Sequence, residues 1–269
     1  MVMAKLFVIK IGGNIIDDDE KLASFLKSFA AMEGKKILVH GGGKLATRLA
    51  EKMGIKQKLV DGRRITDEET LKIVTMVYAG YVNKNLVARL QSFACNAIGL
   101  CGTDGDAILA HKRKHPVLDF GFVGDIDYVN AGLIKSLLEK NLAVVVAPIT
   151  HDGKGQLLNT NADTIAQELA TTMSGEYEVH LVYSFEKSGV LMDVNDESSV
   201  IKKLTRNEYE KLKTPLPGDR EAKIFAGMLP KLDNAFAALN NGVKKVIIGK
   251  AEELDKLTSG ESGTTIINE

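Results

Sequence analysis

The chain has 269 residues, 45% of them apolar and 26% charged, and its 35 Lys plus Arg are balanced by 35 Asp plus Glu. That length buries a sizeable core in one large α/β domain or two lobes, and the zero net charge argues against a nucleic-acid partner, which requires a basic excess. No apolar run reaches the roughly 18 residues of a membrane span, and Cys95 and Cys101, six positions apart, lack metal-ligand spacing and read as reduced thiols of a cytoplasmic protein.

In chain order, "KLFVIKI" (5–11) is apolar, β-branched and runs into Gly12-Gly13, the pattern of a buried strand ending in a tight turn. Lys5 and Lys10 flank its apolar run and no small-residue cleavage site follows, so it is a strand and not a signal peptide. A helix follows, with an acidic start at Asp17–Glu20, apolar residues at 22, 25, 26 and 29, and Gly34 at its end. "KILVH" (36–40) is a second strand, Gly41-Gly42-Gly43 a second glycine turn, and 44–54 a second helix closing on Gly54. Strand, glycine turn and helix, repeated, predict parallel strands with crossover helices.

The stretch 67–94 reads as a long helix with a break near Gly80, and 96–106 as a strand entering a Gly/Asp turn. Residues 115–130 read as a hairpin-like insertion, 131–141 as a helix and 142–149 as a strongly apolar strand. From 151 to 175 a glycine turn and polar residues lead into a helix ending at Gly175. A second set follows: a strand over 177–185, a loop, a mostly helical 198–213, a loop at "TPLPGDREAK" (214–223), a helix over 227–242, a strand over 243–250 and a closing strand near "SGTTI". The start of this second set of elements places a lobe boundary near residue 175, separating 1–175 from 176–269.

Polar and glycine-rich clusters stand at the carboxyl ends of these strands, where open α/β sheets bind ligands. "VHGGGK" (39–44) is not a P-loop: Leu38 stands where the first glycine belongs and Leu45 replaces the hydroxyl residue after Lys44. Gly41 and Gly43 match the first pair of a dinucleotide fingerprint, with Ala46 in the third place. Two glycine turns, each opening a helix, can instead offer backbone N–H groups to one anion from two sides. Taken singly, each could instead be a plain tight strand-to-helix connection. Lys10 sits in an otherwise apolar strand, and a buried lysine is explained by an anion partner. Asn159, Asn161 and Asp163 in "NTNAD" suit either helix capping or a site. Arg64 in "GRRIT" suits a bidentate grip on a carboxylate, while Arg63 reads as exposed.

Taken in order, "KIGGN", "VHGGG", "GRRIT", "NTNAD", "GMLPK" and "SGTTI" resemble the amino acid kinase family, and within it the N-acetylglutamate kinases of arginine biosynthesis, from about Lys5 to Ile266. The resemblance implies a three-layer αβα sandwich with a mainly parallel central sheet. The N-terminal lobe would bind the acyl amino acid and mediate dimerisation, and the C-terminal lobe would bind ATP. The reaction implied is transfer of the γ-phosphoryl of ATP, with Mg²⁺ held by ATP oxygens and water, to the side-chain carboxylate of an N-acylated glutamate. Lys10 and Lys231 would neutralise charge on the moving phosphoryl group and Asp163 would hold both lysines. Gly12, Gly13, Gly42 and Gly43 would supply backbone N–H groups to phosphate, with Gly42 and Gly43 also at the substrate. Arg64 and Asn159 would grip its α-carboxylate and acylamide.

The chain departs from the family at "YSFEKSG", where Glu186 stands in place of an aspartate, and at "TPLPGDREAK". It starts almost directly with its first strand, which implies a homodimer without arginine feedback. "FGFVGDIDYVN" is the expected lid over the substrate. An N-succinylglutamate or N-blocked aminoadipate kinase, and a non-catalytic sensor on the same fold, stay open beside the N-acetylglutamate reading.

Overall fold

The structure, a computed structural model, describes residues 3–60, 63–193, 195–213 and 228–268. Gly62, Gly227 and the segment 214–223 lie outside the described residues.

The chain order is β1 (Lys5–Ile11), α1 (Gly13–Ile16), α2 (Asp19–Ala31), β2 (Lys35–His40), α3 (Gly43–Lys52), β3 (Lys58–Val60), β4 (Arg63–Ile65), α4 (Glu68–Thr75) and α5 (Asn83–Ser92). A π-helical stretch, Met76–Val82, joins α4 to α5, so the long helix is continuous through Gly80 and not broken there. Then follow β5 (Ala97–Leu100), β6 (Ile108–Lys112), β7 (Val123–Val129), α6 (Ala131–Glu139), β8 (Ala143–Val146), β9 (Ile149–His151), β10 (Leu157–Thr160), α7 (Ala162–Met173) and β11 (Glu178–Phe185). The last set is β12 (Lys203–Thr205), α8 (Arg206–Lys213), α9 (Leu229–Asn240), β13 (Lys245–Lys250), α10 (Leu254–Ser259) and β14 (Thr264–Ile267).

Among the described residues, eight strands form the central sheet in the order β12-β14-β13-β11-β1-β2-β8-β5. Among the described residues, neighbouring strands run parallel except β13 with β14. Successive side chains of a strand point to opposite faces, and β1 divides accordingly. Leu6 and Val8 join one core with Ile165 and Leu169 of α7 and Leu232 and Phe236 of α9. Phe7, Ile9 and Ile11 join the other with Phe25 and Phe29 of α2 and Leu86 and Leu90 of α5. Helices therefore cover both faces, giving the three-layer αβα sandwich with a mainly parallel sheet.

Two further stretches differ from the sequence-based expectation. Residues 198–213 are helical only from Arg206, because β12 takes Lys203–Thr205 to the sheet edge beside β14. The polar run before α7 is a hairpin, β9 with β10, and the insertion is a longer hairpin, β6 with β7. These four strands close on one another beside the carboxyl end of the main sheet.

Candidate active site

Lys10 shares the sheet face of Leu6 and Val8, being two residues further along β1. The helices over that face, α7 and α9, carry Asp163 and Lys231 in their first turns. The structure brings all three together. Lys10 Nζ lies 2.8 Å from Asp163 Oδ1, and Lys231 Nζ donates to Oδ2 at 2.7 Å. The side chains are 12%, 12% and 19% exposed for Lys10, Asp163 and Lys231. Asn161 is the N-cap of α7, accepting from the N–H groups of Asp163 and Thr164. Capping is thus done by Asn161, and the Asp163 carboxylate is left to the lysines at the positive end of the helix.

Burial opposes ionisation of Asp163, but the charges of Lys10 and then Lys231 overcome it and hold its pKa at about 2. Burial also pushes the Lys10 ammonium below the usual lysine range, against the pull of Asp163 and with the help of repulsion from Lys231. Two ammonium groups share one carboxylate, so the cluster carries an excess positive charge that suits an anion.

The glycine turns flank this cluster. Gly42 has φ +151°, in the region that favours glycine, and a Cβ there would come within 3.0 Å of the Tyr78 ring. Gly43 opens α3 and Gly13 opens α1, and the first N–H groups of a helix have no acceptor within it. Gly12 departs from its expected role. Its N–H donates to Ser184 O at 2.9 Å, completing the β1–β11 ladder, so the donor available at that turn is Gly13. Gly12 still lines the cavity, and a Cβ there would press on Phe185 at 3.3 Å.

Two cavities meet at Gly41–Lys44. The one of about 530 Å³ is lined by Lys10, Gly12, Gly13, Asn14, Glu186 and Lys231 on its polar side, with Val190, Leu191 and Met228 beyond. Glu186 accepts a hydrogen bond from Asn14 Nδ2 at 2.7 Å. The other, of about 570 Å³, is lined by Arg64, Asn159, Thr47, Tyr78 and Arg113 among others. Arg64 and Asn159 therefore face a different cavity from the lysine cluster, across the same glycines.

Several neighbours that the sequence did not single out hold Arg64 and Asn159. Arg64 Nη2 donates to Gly43 O and to Thr47 Oγ1, both at 2.9 Å, and Nη1 donates to Gln57 Oε1. Asn159 Nδ2 donates to Thr66 Oγ1 at 3.0 Å. Thr66 also bridges Gly121: its N–H donates to Phe120 O and its carbonyl accepts from Phe122 N–H. The segment expected as a lid is thereby tied to the Arg64 strand. Arg113, at the loop end of the β6–β7 hairpin, lines the cavity and pairs with Asp125. A cationic residue inside "HKRKHP" was the signal available for it in the sequence.

Residues 5–250 match the amino acid kinase family. The chain belongs to the amino acid kinase family. Within it, the chain is 54% identical over 256 residues to the acetylglutamate kinase of Cytophaga hutchinsonii, covering 95% of each chain. It is 50% identical over 262 residues to that of Phocaeicola vulgatus, covering 97% of this chain and 98% of the other. Among solved structures, N-acetylglutamate synthase from Neisseria gonorrhoeae, complexed with coenzyme A and N-acetyl-glutamate, superposes with a TM-score of 0.81 at 22% identity. All of this chain is covered, spanning 60% of that longer one, a likeness of fold. As a family member the chain is an ATP-using kinase with a small-molecule acceptor. Among the described residues no helix is long and apolar enough to cross a membrane, and no group of three or more His, Cys, Asp or Glu is placed to hold a metal.

Proposed function

We propose that this kinase transfers the γ-phosphoryl of ATP to the side-chain carboxylate of N-acetyl-L-glutamate, giving an acyl phosphate, the second step of arginine biosynthesis. The observation that carries the reading is the pair of cavities that share Gly41–Lys44, with Lys10, Asp163 and Lys231 beside the junction. One cavity supplies a cation for an α-carboxylate and the other a cationic, glycine-lined bed for phosphates. The acetylglutamate kinases matched along nearly the whole chain favour N-acetylglutamate over the succinylated, aminoadipate and sensor alternatives.

A glutamate side chain is already ionised at neutral pH, so no general base is required. Transfer then depends on positioning and on stabilising charge spread over the phosphoryl oxygens. Arg64 would grip the α-carboxylate and Asn159 the acylamide region. The Gly13, Gly42 and Gly43 N–H groups and the Lys10 and Lys231 ammonium groups would take the charge of the moving group, with Asp163 holding both lysines. Mg²⁺ suits this bed only as an ion carried by ATP oxygens and water, since Asp163 is already paired with two lysines; it would add charge neutralisation on the phosphates.

In the same reading, residues 1–175 hold the acyl amino acid and the dimer contact, residues 176–269 hold ATP, and the enzyme is a cytoplasmic homodimer. The test is hydroxylamine trapping. The purified protein with ATP and Mg²⁺ is offered N-acetylglutamate, N-succinylglutamate, aspartate and N-blocked aminoadipate separately. Hydroxamate with N-acetylglutamate is the expected result, and none with any acceptor removes the proposal.

A further inference from the structure

One buried polar pair lies beside the glycine triplet and has no part in the chemistry above. His40, the last residue of β2, and Asn83, the first of α5, are both fully buried. By strand parity His40 lies on the face of Leu38, the face covered by α5. Its Nε2 is 3.1 Å from Asn83 Nδ2, and its Nδ1 is 2.8 Å from Gly41 O. A glycine at 99 on β5 gives Asn83 its space, because a Cβ there would collide with Asn83 Oδ1.

The proton positions follow from the surroundings. Asn83 Nδ2 also faces two main-chain carbonyls, Val145 O at 3.1 Å and Leu100 O at 3.4 Å, while Asn83 Oδ1 faces the Lys84 ammonium at 3.1 Å. A flipped amide would set its oxygen against both carbonyls and its nitrogen against the ammonium. Nδ2 is therefore the donor to His40 Nε2, so that Nε2 accepts and the ring proton sits on Nδ1. Nδ1–H donates to Gly41 O. Burial holds the imidazole pKa down at about 4, further lowered by the nearby Lys84 charge, so the ring is neutral at working pH. It supplies direction, not charge.

A trans peptide sets the N–H of one residue antiparallel to the carbonyl of the residue before it. Drawing Gly41 O inward onto His40 therefore turns the Gly42 N–H outward, to the side of the two cavities. No acceptor among the described residues takes that N–H. We propose that His40, held in its Nδ1–H tautomer by Asn83, is a positioning residue that aims the Gly42 N–H at the transferring phosphoryl group. This rests on the kinase reading above and adds to it how the cradle is set: the chain runs from Val145 on β8 through Asn83 and His40 to the glycine peptide.

The test compares His40→Asn, His40→Gln and His40→Leu with wild type. An asparagine amide nitrogen falls near the Nδ1 position and can still donate to Gly41 O, whereas glutamine reaches the Nε2 position and cannot. Displacing a reacting-site donor by about an ångström costs roughly 100-fold. His40→Gln and His40→Leu are expected to lower kcat by about ten- to a hundredfold with KM for ATP little changed, and His40→Asn to recover most of it. A merely structural role would be met as well by glutamine as by asparagine. Separately, nitrogen-15 histidine labelling reads the tautomer without any turnover: His40 is expected to carry its proton on Nδ1. A proton on Nε2, or wild-type kcat in His40→Gln, overturns the inference. Absence of hydroxamate from the wild-type enzyme would instead overturn the kinase reading and leave the tautomer result standing.

Discussion

On the two sides of the glycine triplet, cations are held in different ways. Arg64 is held by neutral acceptors, the Gly43 carbonyl, Thr47 and Gln57. Lys10 and Lys231 are held by one shared carboxylate, Asp163. A neutral holder fixes direction and leaves the whole guanidinium charge for a bound carboxylate. A shared carboxylate leaves two ammonium groups with one counter-charge, a deficit that an anion between them would fill. Under the proposed function, the first arrangement would govern affinity for the acceptor and the second the barrier.

The largest break in that contrast is Asp163→Ala. It leaves two buried ammonium groups facing each other, and removing one partner of a buried pair costs about 3–5 kcal/mol. We expect kcat to fall at least about 1,000-fold and the melting temperature to drop clearly, read by steady-state kinetics and calorimetry. The carboxylate also makes the lysine cluster acid-sensitive. Its folded pKa of about 2 lies below the unfolded value of about 3.9, so the pairing contributes in full above roughly pH 4 and is lost as the pH falls toward 2. That is roughly 2–3 kcal/mol, and acid unfolding of wild type against Asp163→Asn should show it: the variant lacks that part of the acid dependence. The smallest effect belongs to the other side. Arg64→Lys loses the planar fork but keeps the charge, and should raise KM for N-acetylglutamate by roughly tenfold with kcat within a few-fold. A fall in kcat with unchanged KM there would erase the contrast.

Much of the fold was legible because β1, β2, β8 and β11 lie in largely apolar stretches with glycines or polar residues at their ends. The short polar strands were not. β9, β10 and β12 have three or four residues and include His, Thr, Asn and Lys, too little to show a period. For the site, Lys10 announced itself as a lysine in an apolar strand. Its partners stand in distant segments, and only the family resemblance joined Asp163 and Lys231 to it. The engagement of the Gly12 N–H by Ser184 depends on β1 pairing with β11, which no local pattern encodes. His40 read as a plain strand end because its partner, Asn83, sits 43 residues away on a helix. Thr47, Gln57 and Thr66 are ordinary polar residues until the chain brings them against Arg64 and Asn159.

The most direct test of the division between binding and barrier is Lys10→Ala, assayed for turnover and, by calorimetry, for binding of ATP and of N-acetylglutamate. Removing one preorganised charge stabiliser costs on the order of 100- to 1,000-fold in kcat. We predict a loss of that size with both ligands still bound within a few-fold of wild-type affinity. Near-full turnover in Lys10→Ala would contradict the account.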